Sequence, residues 1–584
     1  MHPKVTSPGN GDSGALSISP KTPSITFESL TFSDGTVITL ESKEMVLFVG
    51  PNNAGKSAAL RDIEAHIGPQ FEGTVIKTAK RRRVGTIDEL REIVETHTRI
   101  AGPPQTPTYA GAGISLYVTN LGHHWDNDLT PLRPLFCQRI ATETRITESN
   151  PQTAINIVDQ PPSHPIHMLF ADSSLEGRIS GYFRQAFGEE LFLCRESGAP
   201  WSLRVGDRPG LQDGENPFTP SYLKRVVSST DPLQMQGDGM RSFATVILRM
   251  LAPDTPSLLL LDEPEAFLHP PQARLLGEFI AKEWQLTQSQ LFVATHSPEV
   301  LQGMLSAAAE SLRVIRIQRD GSINRVKELD KSQARELTTD PVMRFTSVLS
   351  GVFHKRVIIC ESDPDCMFYS AILDIPEVHG PQYPDVLFVQ AGGKHRMHLL
   401  ASALRALDVN VDVIADIDVL NDETVLKKLV EGLGGNWDHI WKEGGPLKKE
   451  IEQQKLWLDS SEVVRQIQEI LEKAPKSGMF PAGMCGSVKD ILGRVSPWQA
   501  IKVAGKAAIP RGDATTNYER LQVLCNAIGL WIAPVGELEG FCRSEGNKGP
   551  RWVQNVLEKH DVRTAEELED ARTFIRQVWN RISP

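Results

Sequence analysis

Residues 44–67 read EMVLFVGPNNAGKSAALRDIEAHI, and this stretch decides the fold. Met45 to Val49 form an apolar run of strand length, and a helix-compatible segment follows from Ser57. Between them Gly50-Pro51-Asn52-Asn53-Ala54-Gly55-Lys56-Ser57 fits GxxxxGK[ST] in the strand, loop and helix setting that gives the motif its chemistry. There the loop amides and the helix N-terminus cradle phosphates, Lys56 neutralises charge at the β- and γ-phosphates, and Ser57 ligates magnesium. The expectation is an ATP site with Mg²⁺, its loop drawn from Gly50, Asn52, Asn53, Ala54 and Gly55.

Working outward, SLLLLDEPEAFLHPPQ (residues 257–272) reads as a buried strand ending in Asp262-Glu263. A carboxylate at that strand end is placed to hold the magnesium shell (Asp262) and to polarise attacking water (Glu263), although an acid after a strand also serves as a helix cap. SQLFVATHSPEVL repeats the strand-to-helix pattern and sets His296 at the adjacent edge, within reach of a γ-phosphate. MQGDGMRS (residues 235–242) opens a helix with Gly237 and Gly239, a second anion-binding helix start.

Composition bounds the rest. The 584 residues suffice for two to four domains at about 100–200 residues each. A net charge of −11 excludes a uniformly basic nucleic-acid coat and leaves only local basic grooves: Lys80 to Arg83, Lys394-His395-Arg396, Lys502 with Lys506 and Arg511, or Arg543 with Lys548 and Arg551. Each such run also reads as an ordinary solvated face. Seven cysteines form no CxxC pair and no zinc-ligand spacing, which fits a reducing, cytoplasmic setting. No apolar run approaches the roughly 18–20 residues of a membrane span. Met1–Ser24 reads as a disordered leader, residues 70–230 as a loop-bearing insertion rich in Pro and Gly, and residues 447–475 as a helical insertion.

A second α/β block opens near residue 356. RVIICESDPD ends a strand at Glu361 with Asp365 beyond, VNVDVIADID ends another at Asp416 and Asp418, and LWIAPVGELEG adds Glu537 and Glu539. Alternate residues of a strand share a face, so paired acids at a strand end can address one ion. Acids that converge cannot all ionise without cations between them, and an all-oxygen set suits one or two Mg²⁺ or Mn²⁺ ions. Two such ions are a known device for in-line phosphodiester cleavage. Taken singly, each acid also reads as a helix cap.

The P-loop, the glycine-rich helix start, DEPE and ATHS, in that order, resemble the ABC-type ATPase head of the SMC, RecF and OLD group. In that group the glycine-rich signature of one protomer covers ATP held by another, which implies a homodimer or higher oligomer through the heads. Glu361, Asp365, the loop Gly392-Gly393-Lys394 and the Asp416/Asp418 pair resemble a Toprim domain, with Ser362 where the family has glycine. An ABC-type P-loop head with an inserted region over residues 25–345, followed by a Toprim domain over 346–584, resembles the OLD (overcoming lysogenization defect) family. That layout is shared with the larger Gabija subunit and retron-linked effectors. The resemblance implies an α/β protein acting as an ATP-regulated, metal-dependent endonuclease or nickase on duplex DNA, in defence against phage or plasmid DNA. It implies Glu361 as a catalytic and metal residue, Asp365, Asp416, Asp418, Glu537 and Glu539 as metal ligands, and a charge-stabilising lysine, Lys548 or else Lys559. It also allows an accessory defence protein or retron RNA/DNA as partner. The competing expectation is an ATP-dependent sensor or scaffold whose Toprim acids are structural and whose effector activity lies in a partner.

Overall fold

The computed structural model describes residues 23–69, 71–156, 160–252, 256–329, 347–454, 460–475, 480–493 and 497–581. The chain divides into two compact units, one up to Val49 and from Asn53 to Val326, the other from Lys327 on together with Gly50–Asn52. The expected boundary at 345/346 and most of the expected leader lie outside the described residues; Ser24, placed in the leader, instead begins a strand.

The first unit is built on a six-stranded sheet in the order Ile323–Glu328, Leu312–Asp320, Met45–Val49, Gln290–Ala294, Leu258–Asp262, Cys137–Ile140. The last five strands pair in parallel. Three of the central strands are buried at every position, as expected where helices cover both faces of a parallel sheet. Stacked Phe48 and Phe292, with ring centroids 6.2 Å apart, join neighbouring strands on one face. A smaller antiparallel sheet, Val37–Thr39, Ser24–Phe32 and Ile76–Val84, is tied to this one by the fully buried Gln290. Its side chain accepts from the Phe27 amide at 2.8 Å and donates to the Phe27 carbonyl at 2.8 Å and the Glu41 carbonyl at 2.5 Å.

Residues 71–230 depart from the loop-bearing insertion expected of them. Ile76–Val84 is a long strand of the antiparallel sheet, and Cys137–Ile140 is an edge strand of the main sheet. The strand IKTAKRRRV escaped notice because only its first residue is buried; its basic run is used locally, Lys80 and Arg82 pairing with Glu28 and Arg81 donating to the Ile67 and Gly68 carbonyls.

The second unit has a four-stranded, all-parallel sheet in the order Val386–Gln390, Arg356–Cys360, Asn410–Ala415, Leu530–Ile532. An aromatic core of Phe368, Tyr369, Phe541, Trp552 and Phe574 packs on one face. The expected helical insertion begins earlier than residue 447, at Trp437: the helix Trp437–Glu452 runs through Pro446, where the Gly-Gly-Pro letters suggest a break. A second helix spans Ser460–Glu472, and residues 455–459 lie outside the described set.

Asp412 sits fully buried inside the strand Asn410–Ala415, accepting from Arg356 Nε at 2.6 Å, Arg581 Nε at 2.8 Å and Trp531 Nε1 at 2.9 Å. This joins two sheet strands and the C-terminal segment through one carboxylate. Removing it leaves two arginines without their counter-charge, so Asp412→Ala is expected to cost about 3–5 kcal/mol in urea unfolding. A loss below about 1 kcal/mol, the range of exposed pairs, would show the network to be unimportant.

Candidate active sites

In the first unit the chain after Met45–Val49 turns through Asn53 (φ 61°) and Gly55 (φ 102°) before the helix Lys56–Ala65. A Cβ on Gly55 would lie 2.8 Å from the Asn324 amide nitrogen and 2.9 Å from a Val75 methyl. Asn324 itself donates to the Ala54 carbonyl at 2.6 Å, so a residue 270 positions away fixes the loop. Asn52 and Asn53 are exposed, while Ala54 and Lys56 are buried. Burial pulls the Lys56 ammonium below its ordinary pKa, against the opposing pull of Glu263, Glu265 and Asp262.

Ser57 Oγ donates to Asp262 Oδ1 at 2.7 Å, which brings together two residues 205 positions apart. Burial raises the Asp262 pKa despite that bond, with repulsion from Glu263 adding to it. His296 Nδ1 lies 3.4 Å from both Glu263 Oε1 and Glu265 Oε1. The contact with Glu263 raises the histidine and lowers the glutamate. Glu265, assigned no role from sequence, accepts from Thr295 Oγ1 at 2.6 Å and the His296 amide at 3.1 Å, and so holds the strand end.

Arg145 is a second residue that sequence reading missed. Fully buried in the helix Thr142–Glu148, it donates to the Asp262 carbonyl at 3.1 Å and the Glu263 carbonyl at 2.7 Å. Its own carbonyl accepts from Thr245 Oγ1 at 2.7 Å, linking it to the helix Asp238–Met250. Gly237 caps that helix; Gly239 lies within its first turn, where a Cβ would come 2.6 Å from the Phe267 carbonyl oxygen.

In the second unit Glu361 follows the strand Arg356–Cys360, and Asp416 and Asp418 flank the end of the strand Asn410–Ala415. Ser362 takes up φ −138°, so the position needs no glycine. Its amide and hydroxyl donate to Asp365 Oδ2 at 2.9 and 2.6 Å in a capping box on the helix Asp363–Leu373. Gly392 (φ 69°) and Gly393 (φ 114°) do need to be glycine; the Gly393 amide donates to the Glu361 carbonyl at 2.9 Å and presents Lys394 to the acids.

These carboxylates feel one another. Burial raises Glu361, with Asp418 and Asp365 adding repulsion; burial raises Asp365, with Glu539 adding to it; burial raises Asp416 strongly, with Glu361, Asp365 and Asp418 adding to it. Asp418 Oδ2 is held by Lys502 at 3.2 Å and Lys394 at 3.3 Å, while its Oδ1 is buried with no partner among the described residues. Glu539 Oε1 accepts from the Gly549 amide at 2.7 Å. No three of these acids bring ligand oxygens within 4.8 Å of one another among the described residues. The donor set is nonetheless all oxygen, and the orphaned Asp418 oxygen with the shared rise in pKa fits hard divalent cations.

Lys548 Nζ lies 2.6 Å from Glu537 Oε1 and is largely exposed, and Lys559 pairs instead with Glu545 at 2.8 Å. Lys502, read from sequence only as a possible DNA contact, is half-buried and lies 3.2 Å from Asp418 and 3.9 Å from Glu537. Burial depresses its pKa, but Asp418, Asp416 and Glu537 together raise it on balance.

Residues 352–418 match the family of the overcoming lysogenization defect protein-like TOPRIM domain, and residues 218–302 match an AAA domain family whose description names the AbiEii toxin of a Type IV TA system. The chain therefore carries a segment that matches an AAA domain model, followed by one that matches an OLD-like TOPRIM domain model. The OLD nuclease of Thermus scotoductus is 28% identical over 255 residues, 42% of this chain and 46% of that relative. The match thus spans less than half the length of the relative. Among solved structures, the Smc head domain of Pyrococcus furiosus bound to the C-terminal domain of ScpA aligns at 10% identity and a TM-score of 0.32, covering 54% of this chain and 98% of that one. The SMC head domain from Thermotoga maritima aligns at 11% and 0.28, covering 53% and 99%. Among the described residues no helix is long and apolar enough to cross a membrane.

Gly55→Ala combines a left-handed backbone with a clash against Asn324 and Val75. It is expected to destabilise the first unit by more than about 1 kcal/mol and to abolish ATP binding. Thermal unfolding with and without nucleotide checks both; an ATP-induced shift equal to wild type would remove the loop from nucleotide binding.

Proposed function

We propose that the chain is an ATP-regulated, divalent-metal-dependent DNA endonuclease or nickase of the OLD type, acting in defence against phage or plasmid DNA. The observation that carries this reading is the gathering of Glu361, Asp365, Asp416 and Asp418 at one end of a parallel sheet with Lys394 and Lys502 beside them. Burial raises Glu361, Asp365 and Asp416, repulsion from neighbouring acids adds to it, and cations would relieve both; the lysines offer positive charge where a scissile phosphate would sit.

Each residue has a defined share in that reading. Glu361, Asp365, Asp416 and Asp418 would hold one hard cation, with Glu537 and Glu539 toward a second. When bound, Mg²⁺ or Mn²⁺ supplies activation of water and stabilisation of the leaving oxygen in an in-line displacement. Lys502, better placed than Lys548, would neutralise charge developing on the phosphate. The loop Gly50–Ser57 would bind ATP, Asp262 would complete the magnesium shell, and Glu263 would orient water with His296 as its partner. Gly237 and Gly239 would cover ATP on a second head, making a dimer of chains the working form. An accessory defence protein or retron RNA/DNA remains a partner class to be sought.

Supercoiled plasmid incubated with the protein and Mg²⁺ or Mn²⁺, with and without ATP, tests the reading. Nicking is expected, reduced at least about 100-fold by Glu361→Gln and Asp416→Asn and about 10-fold or more by Lys502→Ala. Lys56→Ala fixes the sign of ATP control: lost nicking means ATP activates, and unrestrained nicking means it gates. Plasmid left intact under every metal and nucleotide condition, or cut equally by both acid variants, would favour an ATPase sensor whose Toprim acids are structural.

A further inference from the structure

A second cluster of metal-ligating side chains lies outside the sites described above and rests on different chemistry. Cys542, His560 and Glu567 bring one ligand atom each within 4.8 Å of one another. Cys542 ends the short turn Leu538–Phe541 that carries Glu539, His560 caps the helix Pro550–Lys559, and Glu567 lies in the turn Glu566–Leu568 before the helix Glu569–Trp579. Cys542 Sγ is 3.7 Å from His560 Nε2 and 3.1 Å from Glu567 Oε2.

Those separations can be compared with what a cation imposes. Tetrahedral zinc with ordinary bond lengths sets a sulfur and an imidazole nitrogen about 3.6 Å apart, and a sulfur and a carboxylate oxygen about 3.5 Å apart. The observed distances differ from these by only a few tenths of an ångström. Glu545 Oε1 lies 3.6 Å from His560 Nε2 and is paired with Lys559, so the protein supplies three ligands and leaves the fourth position of a tetrahedral ion to solvent.

The electrostatics agree with the geometry. Burial pushes the Cys542 thiol up, whereas the Ser544 hydroxyl and the Cys542 thiol hold Glu567 below the usual carboxylate range. The thiol donates to Glu567 Oε2 at 3.1 Å, a contact that a divalent cation can replace. The mixed sulfur, nitrogen and oxygen set selects a borderline-soft ion, unlike the all-oxygen set around Asp416.

We propose that Cys542, His560 and Glu567 form a binding site for a thiophilic divalent cation of the zinc class, which pins the Glu539-bearing turn to the two C-terminal helices. Binding releases the Cys542 proton to solvent and forms a metal–thiolate bond without any redox change. The site is independent of whether the Toprim acids cleave DNA. Its place in the chain gives it a structural consequence: the turn that positions Glu539 continues directly into Cys542, whose carbonyl accepts from the buried Trp552 indole at 3.1 Å. Metal would hold this turn where the buried Cys542 meets the partly exposed His560 and the exposed Glu567.

Full-length protein stripped of metal and titrated with Zn²⁺ alone, then with Co²⁺ as a spectroscopic stand-in, tests this. One Zn²⁺ per chain is expected to bind in competition with a chromophoric chelator and to raise the melting temperature. Co²⁺ should give a thiolate-to-metal charge-transfer band, absent in Cys542→Ser and retained in Asp416→Asn. His560→Gln and Glu567→Gln, both nearer the surface, keep the test open if the serine variant misfolds; each should weaken Zn²⁺ affinity at least about 10-fold. A cobalt complex without the thiolate band, or Zn²⁺ affinity unchanged in the histidine and glutamate variants, overturns the proposal and leaves the three residues as a hydrogen-bonded cluster.

Discussion

In a parallel sheet every strand ends on the same edge, and both units of this protein depend on that constraint. Strands Met45–Val49, Leu258–Asp262 and Gln290–Ala294 run in parallel, so the residues that follow them emerge side by side. Ser57 and Asp262 meet through a hydrogen bond although 205 positions separate them. The second sheet does the same for Glu361 and Asp416, which follow parallel strands. With helices over the faces, a polar side chain has either the sheet edge or a buried partner, and each acid in these strands takes one of the two.

Asp412 and Asp416, four residues apart at one strand, show the difference. Asp412 is surrounded by Arg356, Arg581 and the Trp531 indole, and its charge is matched within the protein. Burial raises the Asp416 pKa, and Glu361, Asp365 and Asp418 add to the rise against the opposing pull of Lys502. One lies inside the apolar strand and closes a structural network; the other follows the strand's end and belongs to a cluster of like charge. What distinguishes them is the sign of their neighbours, which no letter of VDVIADID reveals.

That contrast marks how far the sequence could be read. The P-loop, Asp262-Glu263, Glu361 and the Asp416/Asp418 pair were legible because their chemistry is local to a strand end and the turn after it. Asn324, Arg145 and Lys502 were not, because each acts on a carbonyl or carboxylate 270, 117 or 84 positions away. The strand Ile76–Val84 was hidden by exposure, since an edge of basic residues carries no apolar alternation. The helix through Pro446 was hidden by the opposite effect, a local breaking signal outweighed by packing along Ile440, Leu447 and Ile451. The Cys542 cluster assembles from residues spaced 18 and 25 apart, outside the short spacings by which zinc ligands are recognised.

The sites share one further device, the anchoring of acids through a single oxygen. Ser57 holds Asp262 by Oδ1, Ser362 holds Asp365 by Oδ2, the Gly549 amide holds Glu539 by Oε1, and two lysines hold Asp418 by Oδ2. An anchor of this kind costs a carboxylate its rotational freedom while leaving the geometry of its other oxygen set by the protein, as with the buried Oδ1 of Asp418. Preorganisation of this sort lowers the entropy that a bound ion must overcome. A helix cap and a ligand role are therefore compatible in one acid: Asp365 closes the capping box with Ser362 through Oδ2 alone.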